Sequence, residues 1–187
     1  LNLLYLVLRW LLKPVSWAYC RTRRSGLDRI PLTGPVLVAA NHPSRMDAAI
    51  IVAYSPRRLY FLAAETNWNL KWLGWICTQM GCVPVSKTQG NSGAVHTAAR
   101  LLARGKAVCI FPEGQISKAV MDLKQGVAIL AATTGAPIVP IGLQGTHEAM
   151  PPKEKLRPHP VTMAVGEMIR IPKLKLSRVP QEVIERI

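Results

Sequence analysis

The feature that most constrains this sequence is a series of short, continuous apolar runs, each followed by a stretch of helical character. Pro35–Ala40, Arg58–Ala63, Cys82–Val85, Ala107–Phe111 and Pro137–Leu143 read as strands. Such runs lack a polar face, as strands buried on both sides do. Ala48–Tyr54, Trp68–Met80, Gly93–Ala103 and Lys124–Thr134 read as helices, three of them followed by Gly81, Gly105 and Gly135. Glycine suits the left-handed residue that closes a helix. Val161–Val165 and Met168–Ile171 read as a late hairpin. Alternation of strands with helices predicts an α/β fold, a layered sheet with flanking helices. A chain of 187 residues suits one core and is short for two ordinary domains.

The first nineteen residues stand apart. Leu1–Tyr19 is apolar, broken by Arg9, Lys13 and Pro14, and followed by Arg21, Arg23 and Arg24. Leu1–Leu12 is short for a spanning helix, and nothing in it reads as a signal peptide. An apolar helix with a basic end suits a segment lying in a bilayer interface. The plainer alternative is a core helix with a solvated charged end. Residues 1–24 are accordingly taken as an interfacial segment and 25–187 as the layered domain.

Charge narrows the partners. Lys and Arg number 24 against 10 Asp and Glu, a formal net charge of +14, and 49% of residues are hydrophobic. Such a surface attracts nucleic acid, an anionic membrane leaflet or acidic proteins. No zinc knuckle, helix-turn-helix or interleaved aromatic-basic strand supports nucleic acid. Cys20, Cys77, Cys82 and Cys109 lack a paired spacing and read as reduced thiols in a cytosolic setting. His96, His147 and His159 show no ligand spacing, so no metal is assigned.

Two motifs carry chemistry, each where an apolar strand stops. In Asn41-His42-Pro43-Ser44-Arg45-Met46-Asp47, the turn can bring the Asp47 carboxylate back to the His42 ring. A carboxylate on one imidazole nitrogen fixes the tautomer and leaves the other as a general base. The alternative is an Asp favouring a helix N-terminus. In Phe111-Pro112-Glu113-Gly114, Pro112 ends the ladder, Gly114 permits close backbone approach, and Glu113 is a lone carboxylate at a strand's end. An ordinary turn with a solvated acid is the competing reading. Ser44 lies near His42 but lacks the context of a nucleophile elbow.

Taken together, His42-x4-Asp47 followed by Phe-Pro-Glu-Gly resembles the glycerolipid acyltransferases, the PlsC-like family of 1-acylglycerol-3-phosphate acyltransferase. Gly81-Cys82-Val83-Pro84-Val85-Ser86-Lys87 is similar to the family's second block, with Lys87 where arginine is usual. Lysine keeps the charge and loses the bidentate fork. Lys124-Gln125-Gly126 and Ile138-Val139-Pro140-Ile141 resemble later blocks. Ala63-Ala64-Glu65 and Gln115-Ile116-Ser117-Lys118 depart from the family pattern, which bears on the acceptor more than on the reaction.

The resemblance implies attack of an acceptor hydroxyl on an acyl thioester, with His42 as base, Asp47 as its orienter and no acyl-enzyme. It implies no cofactor beyond the thioester co-substrate, acyl-CoA or an acyl-carrier protein. The expected acceptor is 1-acylglycerol-3-phosphate; glycerol 3-phosphate, another lysophospholipid and a lyso-aminolipid are alternatives. Glu113 and Gly114 are expected at the acceptor, with Lys87, Lys124 and Arg45 near its phosphate; Arg45 reads equally well as a solvated loop charge. Trp68, Trp72 and Trp75 recur at helical spacing and suit either core or a membrane interface or acyl groove. Expected partners are a membrane lipid acceptor, an anionic membrane surface and an acidic carrier protein, with the enzyme peripheral on a cytoplasmic membrane face. A thioesterase and a lipid-binding module with a degraded site are the remaining rivals.

Overall fold

The computed structural model describes residues 3–86, 90–113, 126–151 and 155–174. Its centre is β2 (Val36–Ala40), paired in parallel with β5 (Ala107–Ile110) on one side and β6 (Ile138–Gln144) on the other. Beyond β5 come β3 (Leu59–Ala64) and the edge strand β4 (Cys82–Val85), also parallel. The edge position tolerates Pro84, which has no N–H for a ladder. Beyond β6 lie β7 (Thr162–Val165), antiparallel to it, and β1 (Arg23–Ser25), parallel to β7. The order is thus β1-β7-β6-β2-β5-β3-β4.

Alternation along β2 divides the core. Val36, Val38 and Ala40 join a cluster with Ile50, Ile51, Val52 and Phe61; Leu37 joins the opposite one with Leu102, Val108, Leu130 and Ile138. Helix α2 (Asp47–Tyr54) lies in the first cluster, and α4 (Gly90–Ala103) and α5 (Gly126–Thr134) pack against each other on the second. Nearly all of α2 is buried, because α1 (Leu3–Cys20) covers it from outside. A helix apolar all round needs such cover.

Helix α1 is neither wholly core nor free. Tyr5, Ser16 and Cys20 are buried, with Leu12 packed beside them. The opposite stripe, Leu3, Val7, Trp10, Leu11, Val15 and Trp17, is exposed, Trp10 to 80% and Trp17 to 67%. Among the described residues, no helix is long and apolar enough to cross a membrane.

Three expectations are corrected. Arg23–Ser25 forms strand β1, where the sequence suggested only a charged helix end; its residues are all exposed, so no apolar face announces it. The expected hairpin of Val161–Val165 with Met168–Ile171 does not form. Both segments run against β6, Ile141 opposite Val165 and Ile138 opposite Ile169, with the register slipping by one residue past Gly166. Finally, Trp68–Met80 is not one helix. A short 3-10 turn, Glu65–Trp68, is followed by extended Leu70 and then α3 (Lys71–Met80). Trp68 folds back, its indole donating to Thr78 Oγ1 at 3.2 Å, while Trp72 and Trp75 are exposed. Gly81 closes α3 at φ 91° and abuts the Leu59 carbonyl, where a Cβ has no room.

Core and surface apolar residues should respond differently. Leu37→Ala should lower unfolding free energy by about 2–5 kcal/mol. Trp10→Ala should change it by about 0.5 kcal/mol or less. Denaturant melts of both variants check this; equal losses would contradict the exposed face of α1.

Candidate active site

The carboxyl ends of β2 and β5 meet at one edge of the sheet because the two strands are parallel neighbours. This is where open α/β sheets place ligands. The chain leaving β2 is tied down at once. The Asn41 side-chain amide donates to Leu143 O at 2.8 Å and accepts from Leu143 N–H at 2.7 Å, fastening the turn to β6. Ser44 is buried, its hydroxyl donating to Met150 O at 2.9 Å. His147 Nδ1 lies 3.2 Å from Pro43 O.

This bracing brings His42 to Asp47. Nδ1 of His42 lies 2.8 Å from Asp47 Oδ2, which also accepts the Ser44 N–H at 2.7 Å. Asp47 is fully buried at the first turn of α2, whereas the His42 side chain is 18% exposed. An ionised carboxylate only accepts, so Nδ1 carries the proton and Nε2 is the free nitrogen. No hydrogen bond occupies Nε2 among the described residues. The His42 ring stacks on Phe111, centroids 4.0 Å apart and planes 16° apart, and Phe111 in turn contacts Phe61. The ring is therefore fixed by an edge hydrogen bond and by a face contact.

Glu113 enters from the end of β5. It is buried, and its carboxyl receives the backbone N–H of His42. Burial pushes this carboxyl above its ordinary value; the N–H and ring of His42 pull it down, and Asp47 raises it further. Glu113 Oε2 and Asp47 Oδ1 are buried without a hydrogen-bond partner among the described residues. Buried acceptors left unpaired in this way call for a partner such as an ordered water.

Of the other expected site residues, Arg45 is exposed on the loop and makes no ion pair or hydrogen bond with His42, Asp47 or Glu113. Lys87, Gly114 and Lys124 lie outside the described residues. The sequence reading missed Phe111 as the platform for His42 and Asn41 as the clamp. The one signal for each was adjacency, Phe111 before Pro-Glu-Gly and Asn41 before His42. The cysteines are free; burial pushes Cys82 up to about 12 and Cys109 upward as well, so neither is a thiolate at neutral pH. Among the described residues, no group of three His, Cys, Asp or Glu is placed to hold a metal ion.

The model of the acyltransferase family matches residues 21–144, a span that contains β2, the His42–Asp47 turn, β5 and Glu113. This chain belongs to the acyltransferase family. Among curated acyltransferases, it is 29% identical over 140 residues to the chloroplast 1-acyl-sn-glycerol-3-phosphate acyltransferase BAT2 of Brassica napus, covering 72% of this chain and 40% of that protein. It is 30% identical over 131 residues to LPAT1 of Arabidopsis thaliana, covering 67% and 36%. The 1-acyl-sn-glycerol-3-phosphate acyltransferase of Bacillus subtilis is 25% identical over 141 residues, covering 75% and 69%. The chain thus spans well under half the length of the plant relatives. The crystal structure of PlsC, the 1-acyl-sn-glycerophosphate acyltransferase of Thermotoga maritima, shares the fold with a TM-score of 0.79 at 22% identity, over 97% of this chain and 73% of that one.

Glu113 yields a pH-dependent prediction. Its folded-state pKa is raised, so ionising it costs the folded protein stability above the unfolded-state value. Glu113→Gln should therefore raise the thermal midpoint at neutral pH, and the gain should vanish as pH falls through the raised pKa toward the ordinary carboxyl value. A midpoint difference independent of pH would contradict burial as the cause.

Proposed function

We propose that this acyltransferase moves a fatty acyl group from a thioester, acyl-CoA or acyl-carrier protein, to the hydroxyl of a lysophospholipid. The best-supported acceptor is 1-acylglycerol-3-phosphate, giving phosphatidic acid, because the curated relatives bear that name. The observation that carries the reaction is the His42–Asp47 pair at 2.8 Å, with no hydrogen bond on Nε2 among the described residues.

In this reading the acceptor hydroxyl approaches Nε2, which takes its proton as the oxygen attacks the thioester carbonyl carbon. The tetrahedral intermediate collapses, the C–S bond breaks, and the imidazolium returns the proton to the leaving thiolate. Asp47 holds the ring and stabilises its charged form. Attack is direct: the one hydroxyl near His42 in the turn, that of Ser44, is buried and donates to Met150 O. The Glu113 carboxyl accepts a second acceptor hydroxyl, and Gly114 lets the ligand approach the backbone. Lys87, Lys124 and Arg45 supply charge for the acceptor phosphate.

The acceptor is a membrane lipid, and the enzyme works as a peripheral protein on a cytoplasmic membrane face. The apolar outer stripe of α1 supports this, with exposed Leu70 and Trp72 where the chain leaves the carboxyl end of β3. The net charge of +14 suits an anionic surface. Burying the stripe contributes roughly 25 cal/mol per Å² removed from water.

The decisive assay offers both thioesters and a panel of lyso-acceptors, with products identified by mass. His42→Ala in a folded protein should lose on the order of a hundred-fold or more in turnover. Release of free fatty acid without acylated lipid would replace this reading with a thioesterase. Deleting α1 would expose α2, so the membrane reading is better tested on the surface. Trp10→Glu with Leu11→Glu should weaken vesicle binding while leaving the thermal midpoint near that of the parent protein. Unchanged sedimentation with vesicles would place the anchor elsewhere.

A further inference from the structure

The groove between α1 and the end of α2 holds charge that the reaction does not use. Arg9 and Lys13 lie one turn apart on α1, and Arg24 reaches the same cavity, about 470 Å³, from β1. Arg9 is anchored through Nε, which donates to Ala53 O at 3.3 Å. The Arg24 guanidinium lies 4.9 Å over the Tyr54 ring, whose hydroxyl shares a 2.7 Å hydrogen bond with Ser16. These partners hold the two arginines without supplying negative charge. Among the described residues, no carboxylate lines the groove and none of the three cations has an ion pair. Desolvation, then repulsion by Arg9 and Arg24, lowers the pKa of Lys13. Like charges held around one concavity repel, and an anion seated among them relieves that. The remaining wall includes Pro14 and Trp17, and Trp17 belongs to the exposed apolar stripe of α1.

We propose that this groove binds the phosphate of an anionic bilayer phospholipid, at a site separate from that of the acceptor. Arg9, Lys13 and Arg24 hold the phosphate; Trp17 and Pro14 face the glycerol and the first part of the acyl chains. A bilayer lipid suits the groove better than a soluble anion, because the basic wall passes directly into the apolar stripe. Tryptophan favours that polar–apolar boundary. The proposal rests on the interfacial reading of α1 and adds to it a defined headgroup site in place of diffuse attraction.

The test is sedimentation of the full chain with vesicles of phosphatidylcholine, alone or with about one-fifth phosphatidylglycerol. The groove variant is Arg9→Gln/Lys13→Gln/Arg24→Gln. A control of equal charge is Arg100→Gln/Arg104→Gln/Lys106→Gln. Lys13→Glu alone is a milder variant should the triple one fold poorly. The anionic lipid should strengthen wild-type binding on the order of ten-fold. Both groove variants should lose most of that gain while binding neutral vesicles like the parent, and the control should keep it. Equal losses in groove and control variants would reduce the effect to net charge and overturn the site, as would groove variants that keep the gain. Displacement from the anionic vesicles by inorganic phosphate at the same phosphorus concentration would overturn the lipid as occupant. Failure of the interfacial reading shows differently, as no binding of the wild type to either kind of vesicle, and removes this proposal with it.

Discussion

A carboxylate sealed from water governs the arrangement of this site. Asp47 has no exposure, and an ion so placed persists only with hydrogen-bond partners. It finds two, the Ser44 backbone N–H and the Nδ1 edge of His42. To present both, the turn after β2 must fold back over the start of α2. The surroundings enforce this through the Asn41 clamp on Leu143, the Ser44 hydroxyl on Met150 and the Phe111 ring beneath His42. Burial of one acid thus holds the His42 ring in a set direction, the arrangement that the proposed mechanism uses for a base.

The same economy of cover shapes the other side of the molecule. Helix α2 delivers Asp47 at its first turn and is buried along most of its length, so it requires an outer layer. Helix α1 supplies that layer with one stripe and leaves its other stripe apolar and exposed. A soluble protein rarely displays aromatic and aliphatic residues in a continuous row without a partner. In the proposed function that partner is the membrane holding the acceptor, so the helix that covers α2 and Asp47 also brings the site to the lipid.

Much of this was legible in the chain. Buried parallel strands announce themselves as continuous apolar runs, and β2 to β6 fall within a residue or so of the expected positions. The strand β1 was not legible, since Arg23, Arg24 and Ser25 carry no apolar face and the strand exists only because β7 offers a free edge. The break before α3 was hidden for a different reason. Trp68, Trp72 and Trp75 have helical spacing, yet Trp68 turns back against Gly74, a contact no periodicity reveals. In the site, the spacing of His42 and Asp47 was readable, whereas the Phe111 platform and the convergence of Arg9, Lys13 and Arg24 depend on tertiary neighbours.

In the proposed mechanism Asp47 fixes His42 with its proton on Nδ1 and leaves Nε2 free to act as base. Nitrogen-15 NMR of the His42 ring tests this most directly, at a pH where the ring is neutral. Nδ1 should appear as the N–H nitrogen and Nε2 as the unprotonated one, and Asp47→Asn should disturb this assignment without unfolding the protein. A ring protonated on Nε2, or an even mixture of tautomers in the unmodified protein, would contradict it.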